Sequence, residues 1–152
     1  MTPEEILEQL RAEFGDALKQ VEVRGREAFF VVSPDKAYEL CQALKEKGFD
    51  YLNCLSGVDW RDHFEVVYHL SSLEHKNKAT VKVPLSREEP VIPSVTPLWN
   101  GANWHEREAY DLLGIRFTGH PDLRRILLPE DWEGHPLRKD YEDERLVPYK
   151  PV

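Results

Sequence analysis

His105, Glu108, His120 and His135 are residue types that hold zinc or move protons, and all four fall in the last third of this 152-residue chain. A metal-assisted hydrolase built on His105, Glu108 and His120 would need them within about 3 Å of a common atom. No H-E-x-x-H spacing puts two imidazoles on one helix face, so spacing alone brings none of them together. Satisfied or surface histidines are the commoner outcome, and no metal site is expected. For nucleophilic chemistry there is no G-x-S-x-G elbow and no phosphate-cradling glycine loop, and Cys41 lies in a helical pattern that buries it. No catalytic residue is assigned.

A second polar set is denser: Glu106-Arg107-Glu108, Asp111, His120-Pro121, Arg124, then Gly134, Pro136 and Arg138-Lys139-Asp140. These charges stand beside turn-formers and helix ends, which describes a shaped polar surface. At about 100° per residue, Ala109, Tyr110, Leu112 and Leu113 share one arc of a helix, and Arg107, Glu108 and Asp111 share the other. Glu106 falls inside the apolar arc. A carboxylate there must be paired or must serve as a cap, because burial alone costs several kcal/mol, roughly. Two readings stay open. Asn103 as N-cap with Glu106 three residues on makes a capping box; alternatively, Arg124, Arg125 or Arg138 pairs with Glu106 and pins the C-terminal segment to the helix.

The elements that position this set are legible from pattern. Thr2, Pro3 and Glu4-Glu5 start a helix through Ile6, Leu7, Leu10 and Phe14, closed by Gly15. Val21 to Val32 predicts a hairpin turning at Arg24-Gly25-Arg26. Ser33-Pro34-Asp35 starts a second helix that stops at Lys47-Gly48. Strands follow from Phe49 to Leu55, from Phe64 to Leu70 and around Val81, Val83 and Leu85, with Ser71 to Lys78 as a loop. Pro84 inside the fifth strand's pattern suits a sheet edge or a strand end better than a central position. Pro90, Pro93 and Pro97 mark a connector, and the third helix ends at Gly114. The fold expected is a two-layer α+β domain over residues 1–140: a largely antiparallel five-stranded sheet, helices on one face, and an extended C-terminal segment. Residues 141–152 are expected to be an arm, either disordered or ordered against a partner.

The composition excludes several classes. A net charge of −8 argues against a nucleic-acid partner, which needs clustered Lys and Arg. The longest apolar run, Ala28 to Val32, is far short of the roughly 20 residues that span a bilayer. The acidic start lacks a secretory h-region, so a cytoplasmic location is expected. Cys41 and Cys54 have no C-x-x-C spacing, and both are expected to be free and buried, with no iron–sulfur cluster or structural zinc. Trp99, Trp104 and Trp132 surround the polar set, where tryptophans flanked by loops often serve interfaces.

Taken together, Glu106-Arg107-Glu108, Asp111 with Leu112-Leu113, His120-Pro121, Arg124, Ile126-Leu127 and Gly134-His135-Pro136-Leu137-Arg138-Lys139-Asp140 resemble the signature of the C-type subunit of the proton-pumping NADH-quinone oxidoreductases, respiratory complex I. The resemblance is strong from Leu98 to Tyr141, looser from Phe49 to Ile92, and a matter of pattern over residues 1–48. It implies a structural, non-redox subunit of the membrane-extrinsic arm, on the cytoplasmic side of the membrane. Such a subunit packs on the large D-type subunit near the quinone site and lies close to the cluster-bearing B-type subunit. It binds no cofactor, while the complex uses FMN, Fe–S clusters and quinone. The tail, stopping at Val152, is shorter than in many members, which leaves open how much of the D-type partner it wraps. In this it is also similar to the short homologue of photosynthetic, ferredoxin-dependent NDH complexes. Three alternatives stand beside this expectation: the matching subunit of a membrane-bound [NiFe] hydrogenase, a free-standing small-molecule-binding module with its pocket between the third helix and the C-terminal loops, and the hydrolase above.

Overall fold

The structure is a computed structural model and describes residues 1–146. Helix α1 (Pro3–Phe14) starts as its sequence dictates: Thr2 Oγ1 accepts from the Glu5 N–H at 3.2 Å, and Glu5 Oε2 accepts from the Thr2 N–H at 2.8 Å. The reciprocal pair satisfies two donors near the helix start. Strands β1 (Leu18–Arg24) and β2 (Glu27–Val32) make the expected hairpin, with Gly25 at φ +60° in the turn. Ser33 does not cap the second helix. A 3-10 turn, Pro34–Lys36, intervenes before α2 (Ala37–Glu46), and the Ser33 carbonyl accepts the Lys36 N–H.

Strands β3 (Tyr51–Asp59), β4 (His63–Ser72) and β5 (Asn77–Ser86) follow, then β6 (Val91–Pro93), α3 (Ala102–Leu113) and β7 (Arg116–Thr118). The main sheet runs in the order β1-β2-β5-β4-β3, and three of its four pairings are antiparallel. The exception is β2 with β5. Between those strands the chain passes through α2 and the β3–β4 hairpin, and it returns in the same direction.

Pairing fixes which residues share a face. Gly57, Val66 and Val83 form one cross-strand row, and Leu55, Tyr68, Val81 and Phe30 form another. These rows join Ile6, Leu7 and Leu10 of α1, Leu40 and Leu44 of α2, and Ala109 and Leu113 of α3 in one core. The helices therefore cover one face of an α+β sheet, as the apolar spacing requires. Burying each such leucine fully stabilises the fold by roughly 1.5–3 kcal/mol.

Several boundaries differ from the sequence reading. β3 runs to Asp59 rather than stopping at Gly57, because Gly57 is where α3 comes closest and a side chain would obstruct it. β4 and β5 are longer than expected, so the loop shrinks to a turn at 73–76. Pro84 lies on a mid-sheet strand, but β5 pairs with β2 only as far as Lys82, so Pro84 faces β4 alone. The parallel pair β6–β7 was not expected; three residues are too few to show alternation. Cys41 is buried and Cys54 only half-buried, and both are free. Of the C-terminal arm, residues 147–152 lie outside the described residues; within 141–146, Asp143 pairs with Arg145 at 2.5 Å. Among the described residues no helix is long and apolar enough to cross a membrane.

Candidate subunit interface

The entry to α3 decides the fate of Glu106. Tight turns lead into the helix: Trp99 donates to the Val95 carbonyl, Ala102 to Trp99 and Asn103 to Asn100. The helix starts at Ala102, so Asn103 is already helical and cannot cap it, and the capping box does not form. The arginine pair does not form either. Glu106 is fully buried and faces the β6–α3 connector, where the Ser94 hydroxyl lies 2.5 and 3.0 Å from its two oxygens and the Val95 N–H donates at 3.2 Å. Burial raises its pKa to about 7 even though Ser94 and Val95 act the other way.

Asp111 takes the partner expected for Glu106. The wheel put it on the solvent arc, yet it is fully buried, because residues 125–137 cover that side of α3. Its Oδ2 accepts three consecutive backbone N–H groups, from Ile126, Leu127 and Leu128, at 3.2, 2.8 and 3.0 Å. Its Oδ1 accepts from Arg125 at 2.8 Å. Burial pushes this carboxyl up, but the guanidinium and the three amides outweigh it and hold the pKa below the ordinary value. Arg125 goes on to donate to the carbonyls of Trp132 and Gly134, each at 2.9 Å. One buried ion pair thus shapes the loop from 125 to 134.

Asp59 does the same for the next stretch. It is buried at the end of β3, is hydrogen-bonded by Arg87, and accepts the Lys139 N–H at 2.8 Å. Despite burial, these partners and the Arg61 N–H keep its carboxyl well below the usual range. Arg87 also donates to Asp140 at 2.7 Å, and Arg138 donates to the Leu113 carbonyl at 2.7 Å while its guanidinium stacks 5.2 Å from the Phe64 ring centre.

The remaining motif residues fall into two groups. Arg107 is turned inward, donating to the carbonyls of Arg124 and Arg125 at 3.1 and 2.9 Å. His120 donates through Nε2 to the Asn103 carbonyl and accepts the Asp122 N–H at Nδ1, so both nitrogens are occupied by backbone. His135 Nδ1 donates to the Asp111 carbonyl, and burial lowers its pKa. Gly134 takes φ +85° against Tyr141, and Pro136 is half-buried. Glu108, Pro121, Arg124 and Lys139 are exposed, and among the described residues the Arg124 side chain pairs only with Asp122. Beside them stand three large exposed apolar side chains: Trp104, Leu127 and Leu137 at 60, 64 and 59% exposure. Trp99, by contrast, is core, its Nε1 donating to the Phe49 carbonyl at 3.2 Å.

Sequence reasoning missed Asp59, Arg87 and Ser94. Asp59 carried a signal, since it is in phase with Leu55 and Gly57 on the inner face of β3. Ser94 carried none.

The model of the family described as respiratory-chain NADH dehydrogenase, 30 kDa subunit, matches residues 30–145. Among curated relatives, the NADH-quinone oxidoreductase C-type subunit of Chloroherpeton thalassium is 46% identical over 92% of this chain, and that of a Roseiflexus species is 48% identical over 89%. The chain spans 63% of the length of the first and 81% of the second. Among solved structures, a trypsin-resistant fragment of Nqo5 superposes with a TM-score of 0.70 at 35% identity, covering 81% of this chain and all of the fragment. A chain of the membrane-bound sulfane sulfur reductase, an archaeal respiratory membrane complex, superposes with a TM-score of 0.80 at 28% identity, over 91% of this chain and 85% of its own. A carboxylate-stapled loop system on an α+β core, with these relatives across most of its length, makes the chain a member of the respiratory-chain NADH dehydrogenase 30 kDa subunit family.

Proposed function

We propose that the chain is a non-redox structural subunit in the peripheral arm of a proton-translocating NADH-quinone oxidoreductase. It seats the large D-type subunit near the quinone site, beside the B-type subunit, while electrons pass from NADH through FMN and Fe–S clusters to quinone. In this reading the chain holds no cofactor itself. It meets the membrane only through the complex, on the cytoplasmic side.

The observation that carries the reading is the loop at 125–128. Three of its amides are tied to one buried carboxylate, yet Leu127 is 64% exposed. The ordered amides satisfy buried Asp111, but the Leu127 side chain they carry is left in water. A rigid loop presenting an apolar side chain, with Trp104 and Leu137 also exposed in the same part of the fold, has the composition of a protein-docking surface. The motif residues Glu106, Arg107, Asp111, His120, Gly134 and Arg138 then act from behind as its frame, and Glu108, Pro121, Arg124 and Lys139 act at its surface.

Leu127→Glu tests this. The variant is expected to keep the wild-type urea midpoint, because the side chain is already solvated, and to lose at least tenfold in co-purification with the large partner. Undiminished co-purification would contradict the reading.

A second reading is favoured by the likeness to a chain of the archaeal sulfane sulfur reductase complex, whose TM-score is 0.80. The same scaffold would then serve a complex with a different electron donor, such as a ferredoxin-dependent NDH complex or a membrane-bound [NiFe] hydrogenase. The sequence of the co-purified large partner decides it: cysteine pairs for nickel mark the hydrogenase.

A further inference from the structure

The two edges of the main sheet are built differently. β1 carries Lys19, Glu22 and Arg24, charges of the kind that keep an exposed edge from pairing with other chains. β3, the opposite edge, reads Tyr-Leu-Asn-Cys-Leu-Ser-Gly-Val-Asp and holds no Lys, Arg, Glu or Pro. Its one charged residue, Asp59, is buried against Arg87. β4 pairs with one side of β3; among the described residues no other backbone hydrogen bond reaches positions 51–58. The register shifts at Asn53, but beyond that irregularity residues 54–58 run on without a charge or a proline and are an open template for another strand.

The same strand borders a groove of about 330 Å³ under α3. Leu55, Gly57, Ala109, Leu112 and Leu137 line it, and the exposed Glu108 stands at its rim. Glu108 has no salt-bridge partner among the described residues. A strand laid along β3 sends every second side chain to the face that α3 covers, so open backbone and apolar groove would be read together.

We infer that the free edge of β3 accepts, by strand addition, an extended segment of another protein of the complex, with an apolar side chain seated in the groove under α3 and a Lys or Arg opposite Glu108. The inference rests on the reading of the chain as part of a complex, and Leu137 makes the groove continuous with the docking surface described above. A second copy of this chain fits less well, because β3 has no cation to offer Glu108.

Amide hydrogen exchange, compared between the isolated full chain and the complex purified through it, tests the inference. Amides of residues 51–58 that point away from β4 should exchange at least tenfold more slowly in the complex, while those of β1 stay unchanged. A photo-crosslinker at Tyr51, which is 53% exposed, should join one segment of one other protein of the complex, and Glu108→Lys should cut that yield several-fold. Equal exchange rates in a complex that still contains the chain would overturn the strand-addition inference and leave the proposed function standing. Protection that grows with the concentration of the isolated chain would overturn it in favour of a second copy. Recovery of the chain with no other protein would overturn both readings.

Discussion

Glu106 and Asp111 sit on one helix, both fully buried, and are driven toward opposite protonation states. Asp111 has a guanidinium and three amides and stays charged; Glu106 has a hydroxyl and one amide, and burial raises its pKa to about 7. In the unfolded chain Glu106 ionises near 4.5. Between these values the folded state holds a proton that the unfolded state has released. The stability contributed by neutral Glu106 is therefore complete below about pH 4.5 and is lost as pH rises through 7, a swing on the order of 3 kcal/mol. His135, whose pKa burial lowers, works in the other direction, so wild type must be compared with a variant that keeps it. Asp59 and Asp111 matter only under more acidic conditions. Glu106→Gln keeps the shape and carries no charge. Its stability relative to wild type, from urea unfolding, should rise between pH 5 and 8. A difference that does not change with pH would show that Glu106 titrates elsewhere.

At the scale of elements, Gly57 sets how closely β3 and α3 can approach. A Cβ there would lie 2.6 Å from a Leu113 methyl and 2.9 Å from an Ile115 methyl, so Gly57→Ala should lower stability by about 1–3 kcal/mol. Gly101→Ala, where a Cβ meets nothing within 4 Å, is the matched control. Equal urea midpoints for the two variants would mean that α3 is not pressed onto β3. The elements also show what pattern can and cannot reveal. α1 was legible down to its Thr2 cap because that cap is made by local backbone, while the return bond from Glu5 was not read. The start of α3 was not, because its first donors are satisfied by the turn from Val95 to Asn103, and an Asn followed by a Glu mimics a cap. Asp111 was misplaced for a related reason: a helical wheel separates polar from apolar, and here a loop rather than water covers the polar side. Strand alternation located β4 and β5 in kind, but a parallel pair of three residues lies below what alternation can show.

In the molecule as a whole, two buried carboxylates, on β3 and α3, fasten the chain from residue 125 to 140 onto the domain. The family spacing was readable over that stretch, where His135, Arg138 and Asp140 are each held by a partner. The partners themselves were not readable, since Asp59 at the end of β3 and Arg87 just past β5 lie far away in sequence. What the stapling leaves outward is a rim of exposed leucine, tryptophan and carboxylate beside an unguarded strand edge. In the proposed function that surface is where the partner sits. The most direct measurement is native mass spectrometry of a gently solubilised membrane extract, pulled through this chain. Expected is one particle holding the chain in a single copy with a large D-type and a smaller B-type partner. Recovery of the chain alone or only with itself, or turnover by the isolated chain, would contradict the reading of it as a docking subunit.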